Sequence, residues 1–167
     1  MSELQQQIAG NVTRVREQID AAARRSGRDP RSIRLVAVTK YVGLNEVLAL
    51  LDARCFELGE SRPQELWKKV DAISHPHVQW HMIGHLQRNK VRRTLPAVRL
   101  VHSCDSLRLL QTIDTEAGRD AHVIPVLLEV NVAGDTAKHG FSPDELASLL
   151  PTIADLRHIK VHGLMGM

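Results

Sequence analysis

The chain has 167 residues, 43% hydrophobic and 25% charged, with a formal charge of +3 and a pI near 9.1. That charge is mild and scattered, and only two Trp, two Phe and one Tyr are present, so stacking platforms for nucleic acid are scarce and such a partner is disfavoured. No stretch approaches the ~20 apolar residues of a membrane span, and Met1 to Gly10 is polar, without a signal-peptide core. One cytoplasmic domain is therefore expected, with Cys55 and Cys104, which form no CxxC pair, as buried thiols.

In chain order, Ile8, Val12, Val15, Ile19, Ala22 and Ala23 recur at helical spacing and predict an amphipathic helix over Leu4–Arg25, stopped by Ser26-Gly27 and Asp29-Pro30. Ile33 to Lys40 reads as a short strand buried on both faces, because Leu35 to Val38 is an unbroken apolar run. A helix over Leu44–Ala53 follows, capped by Asn45 or Gly43, then a strand over Cys55–Gly59. Ser61 is the expected N-cap of the next helix, with Pro63 in its first turn and Gln64 or Glu65 completing a capping box, running to about Ile73. A strand over residues 78–84 leads to a helix from about Leu86, broken at Pro96, and a strand over 98–102. Asp105 or Ser106 caps a helix over Leu107–Ala117; a strand follows over His122–Val132, then a polar loop over 134–140. Ser142-Pro143-Asp144-Glu145 is a strong helix start, the helix runs to about Ala154, and a sixth strand covers residues 159–165.

Strand and helix thus alternate six times with short joins, which predicts an α/β fold with a parallel sheet. An open doubly wound sheet and part of a (β/α)8 barrel both satisfy the pattern. No GxGxxG or GxxxxGK[ST] loop follows a strand, so dinucleotide and P-loop sites are disfavoured. Lys40 is the residue that asks for an explanation. An ammonium is costly to bury, but at the carboxyl end of a parallel strand it can face the mouth where ligands bind. It either snorkels to water or condenses with an aldehyde cofactor. The latter needs a neutral amine, favoured by partial burial and by neighbouring groups such as His85 or Arg62 across the mouth. Ser103 and Asn131 end other strands, as ring or water contacts or as ordinary helix-start and loop-capping groups. His81 and His85 are four apart but lie across a strand end with no glutamate between them, so no metal site is assigned. His75 and His77 flank a proline and read as solvated, and the loop Asp135–His139 as ordinary exposed chain.

The strand ends form a series: Val36-Ala37-Val38-Thr39-Lys40, Leu58-Gly59-Glu60-Ser61-Arg62-Pro63, Trp80-His81-Met82-Ile83-Gly84-His85-Leu86-Gln87-Arg88-Asn89-Lys90, His102-Ser103-Cys104-Asp105-Ser106, Glu129-Val130-Asn131-Val132-Ala133-Gly134 and Gly163-Leu164-Met165. This series resembles the pyridoxal 5′-phosphate homeostasis protein family, small barrels related to the N-terminal domain of alanine racemase. The resemblance covers residues 33 to 167, and WH-x-IGHLQ-x-NK is its specific motif. It implies a (β/α)8 TIM barrel of the alanine racemase type, truncated here after about six βα units, with an extra N-terminal helix and a single cofactor-binding domain over 1–167. It also implies pyridoxal 5′-phosphate held as an imine on Lys40 without robust catalysis, a role in vitamin B6 homeostasis, apo enzymes as recipients, and a monomer or weak dimer. His85, Ser103 and Asn131 are the further candidate cofactor contacts. Ser61 replaces the family's asparagine, Cys104 stands where valine or isoleucine is usual, and the segments that hold the phosphate in the family lie beyond Met167, so no phosphate site is assigned. Two alternatives remain at this point. A racemase-like enzyme would need a second base, and the lone tyrosine, Tyr41, adjoins Lys40. An RNA module would use Arg88, Lys90, Arg92 and Arg93.

Overall fold

A computed structural model describes residues 1–135 and 137–167; Thr136, inside the polar loop expected over 134–140, lies outside the described residues. Helix α1, Glu3–Arg25, begins at a capping box. The Ser2 hydroxyl accepts from the Gln5 amide at 3.2 Å, and the Gln5 side chain accepts from the Ser2 amide at 2.6 Å. The helix lies against α2, Leu44–Asp52, where Arg16 donates to the Arg54 carbonyl at 2.7 Å and Gln5 to Asp52 at 2.7 Å.

Six parallel strands follow in sheet order 1 to 6: β1 Ala37–Val38, β2 Glu57–Glu60, β3 Gln79–Met82, β4 Leu100–Cys104, β5 Ile124–Glu129 and β6 Ile159–Met165. This order decides between the two architectures. A doubly wound sheet reverses its strand order at a switch point, whereas here each strand pairs with the next. Right-handed crossovers in unbroken order put every connecting helix on one face, as in a barrel wall. Those helices are α2, α3 Pro63–Ala72, α4 Val91–Thr94, α5 Leu107–Arg119 and α6 Pro143–Ala154. Leu58, Trp80, Met82, Val101, Val126 and Leu128 are buried from the sheet, in one cluster with Leu66, Leu110, Ile113 and Ile153 from the helices. Each such side chain contributes roughly 1.5–3 kcal/mol through the water it loses.

Several sequence expectations change. The first strand pairs over two residues only, and Val38 is 50% exposed, because β1 is an edge of the sheet. Ser61 does not cap α3; Arg62 is the cap residue, and the Glu60 carboxylate accepts from the Ser61 and Arg62 amides instead, at 2.7 and 3.3 Å. The helix expected after Leu86 is four residues long between two 3-10 turns, since its start has no side-chain cap and Pro96 follows at once. β4 lies two residues later than expected, which places Ser103 inside the strand, while Ser106 caps α5. The basic stretch is engaged within the chain: Arg93 and Lys90 lie 4.2 and 5.8 Å from the Trp67 ring centre, and Arg92 lies 4.0 Å from Glu116. His75 and His77 pack on the Phe56 ring at 5.2 and 5.6 Å.

Candidate functional site

Because all six strands are parallel, their carboxyl ends share one rim, and the candidate residues are distributed along it. Lys40 occupies the turn after β1. Thr39 is fully buried, and its hydroxyl donates to the Gly59 carbonyl at 3.1 Å. The chain then reverses, with the Val42 amide donating to the Thr39 carbonyl at 3.3 Å and Tyr41 held at φ 69°. That conformation is uncommon for a residue with a bulky side chain and persists only where its surroundings fix it. The Lys40 amine is 5.7 Å from the Tyr41 ring centre and the Arg62 guanidinium 5.8 Å from the same centre. Lys40 is exposed, which corrects the expected partial burial; an edge strand of two residues has no neighbour to cover the residue that follows it.

What fixes the turn is a buried ion pair that sequence reasoning missed. Lys69 of α3 donates to Glu60 Oε2 at 2.6 Å and to the Thr39 carbonyl at 2.7 Å, and both charged side chains are almost fully buried. One lysine thus ties the end of β2 to the residue preceding Lys40. The signal was present: Leu66, Lys69 and Ile73 share a helical stripe, so Lys69 falls where an apolar residue belongs. A buried charge there requires a partner.

The remaining candidates do not converge on Lys40 in the expected way. His85 bonds Asp105 Oδ2 through Nδ1 at 2.8 Å and stacks on His139, ring centres 4.4 Å apart. Ser103 is buried and donates to the Gly84 carbonyl, so it joins β4 to the loop after β3 rather than starting a helix. Asn131 donates to the Asp135 carbonyl at 2.8 Å, and its amide bonds the Phe141 carbonyl at 2.9 Å, closing the loop between them. Asp135, Ala137, Lys138 and His139 are exposed, as expected of that loop, and the anchoring lies just beyond it. Phe141 is buried, and at Gly140, φ 108°, a Cβ would meet the Asn131 nitrogen at 2.9 Å. Cys55 and Cys104 are buried free thiols, and burial pushes both away from ionisation.

Inside the sheet, His81 points away from His85 into a separate chain of bonds. Its Nε2 lies 2.6 Å from Glu57, and its Nδ1 lies 2.8 Å from His102 Nε2. Burial, and then the charge of His81, holds His102 down at about 4, against an ordinary 6.5. Between those values the unfolded chain binds more protons than the folded one, so stability falls as the pH drops from 6.5 towards 4. His102 is partly solvated, and the loss is therefore of order 1–2 kcal/mol rather than the full value of the shift. Urea midpoints of wild type and His102→Gln measured from pH 7 to 4.5 should converge as the pH falls; parallel curves would remove His102 as the cause.

A parallel sheet in sequential strand order, with a lysine after its first strand, defines a class. The family model for the alanine racemase N-terminal domain matches residues 10–167, and the chain belongs to that family. Within it, the chain is 36% identical over 154 residues to a pyridoxal phosphate homeostasis protein of Aquifex aeolicus, covering 92% of this chain and 68% of that one. A crystal structure of an unknown protein from Bifidobacterium adolescentis superposes with a TM-score of 0.91 at 32% identity, over 100% of this chain and 72% of that one. PipY of Synechococcus elongatus, solved with PLP bound, superposes with a TM-score of 0.78 at 29% identity, over 89% of this chain and 69% of that one. No helix among the described residues is long and apolar enough to cross a membrane.

Proposed function

We propose that residues 1–167 act as one pyridoxal 5′-phosphate-binding domain, with the cofactor joined to the Lys40 amine as an imine, and that its role is to hold and hand on the cofactor. The observation that carries this is the presentation of Lys40: an accessible amine after β1 of a parallel rim, on a turn whose preceding carbonyl is gripped by Lys69. A fixed backbone with a free side chain suits a group that must both capture and release an aldehyde. The naming of the Aquifex relative and the PLP-bound state of PipY support the same reading. The bound cofactor supplies an electrophilic aldehyde, and this chain supplies the amine and the rim. His85 is the exposed candidate beside the cofactor, while Ser103 and Asn131 position the Gly84 carbonyl and the loop after β5. Apo enzymes as recipients, a cytoplasmic setting and a monomer or weak dimer complete the proposal.

Turnover is not part of it. Tyr41, the only tyrosine, has its ring beside Lys40 rather than across from it, so it supplies no base on an opposite face. Pyridoxal phosphate added to the protein should produce a new near-ultraviolet or visible band, and borohydride should fix the added mass on the peptide containing Lys40. Both signals should vanish in Lys40→Ala. An unchanged band in that variant, or equal trapping on Lys68 and Lys160, would remove Lys40 from the role, and racemisation of an amino acid would replace the holding function by an enzymatic one.

A further inference from the structure

Three groups on the rim meet without serving the Lys40 turn. His85 follows β3, Asp105 follows β4, and His139 belongs to the loop after β5. One donor atom from each lies within 4.8 Å of the other two. Both imidazoles aim Nδ1 at the same oxygen, Asp105 Oδ2, at 2.8 Å from His85 and 3.6 Å from His139. Their rings are nearly parallel, at 17°. A carboxylate oxygen can accept from both rings, but the two separations also bracket the roughly 3.3 Å between ligands of a tetrahedral zinc ion with bond lengths of ~2.0–2.1 Å.

We propose that His85, Asp105 and His139 form a site for a divalent transition-metal ion of the zinc type, with a water in the remaining position. The donor set, two imidazoles and one carboxylate, suits such an ion better than calcium or magnesium, which take oxygen ligands. The support expected behind metal ligands is present. Asp105 is nearly buried, and its other oxygen accepts from the Ser106 hydroxyl at 3.2 Å, which orients the carboxylate. His85 and His139 are 45% and 63% exposed in their side chains, so an ion can enter from solvent. The three ligands come from three successive strand ends, so the ion would pin the loop after β5 across the rim. The site shares His85 with the cofactor contacts proposed above, so the ion is tested without the cofactor.

The test uses the protein without pyridoxal phosphate. Zinc binding is measured by equilibrium dialysis, and Co²⁺ is added as a spectroscopic probe. One ion per chain and visible bands of tetrahedral or five-coordinate Co²⁺ are expected, with zinc affinity reduced at least tenfold in His139→Ala and in Asp105→Asn. His139 is an exposed loop residue, so its variant folds irrespective of the outcome at Asp105. Absence of Co²⁺ bands, unchanged affinity in His139→Ala, or loss of binding in a His75→Ala/His77→Ala control would overturn the site.

Discussion

Lys69→Met should lower folding stability by about 3 kcal/mol, read as a shift in the urea midpoint at unchanged m. Removing one member of a buried ion pair typically costs ~3–5 kcal/mol, because the other charge is left without its partner. The lower end is expected here. Glu60 keeps the Ser61 and Arg62 amides as donors at 2.7 and 3.3 Å, and the Thr39 hydroxyl at 3.4 Å. The Thr39 carbonyl loses its 2.7 Å ammonium and retains the weaker bond from Val42. The turn carrying Lys40 should therefore loosen, and pyridoxal phosphate uptake should weaken more than it does in a surface variant such as Lys68→Met. The double variant Lys69→Met/Glu60→Leu should recover most of the stability, since apolar side chains of similar volume can replace a buried pair at little cost. If the single variant lost less than 1 kcal/mol, the pair would not be the fastener described above.

Gly84→Ala should cost roughly 3 kcal/mol, the upper end of what overpacking a well-filled site produces. A Cβ on Gly84 would stand 2.3 Å from the Ser61 carbonyl oxygen and 2.8 Å from its Cα. Those are backbone atoms, so relief requires the segment after β2 to move away from the segment after β3. Gly84 also accepts the Ser103 hydroxyl through its own carbonyl, which ties the same point to β4. Three strand ends therefore meet at a residue that tolerates no side chain. Urea unfolding measures the loss; a change below about 0.5 kcal/mol, the range of ordinary surface substitutions, would mean that the rim yields easily there.

The sequence by itself determined the repeating strand–helix order, the position of Lys40 after the first strand and the cap of α6 at Ser142. Each rests on local chemistry: the period of apolar residues, the cost of a charge beside an apolar run, and a hydroxyl placed to bond an amide three residues on. The tertiary structure alone decided the sequential strand order, the exposure of Lys40 and the partners of the charged groups. Lys69 with the Thr39 carbonyl, His81 with Glu57 and His102, and His85 with Asp105 and His139 join residues from different strand–helix units. Such pairings depend on which strand ends become neighbours when the sheet forms. Nothing in the spacing along the chain encodes that distance, so a histidine four residues from another, His81 from His85, ends up serving a different set of bonds.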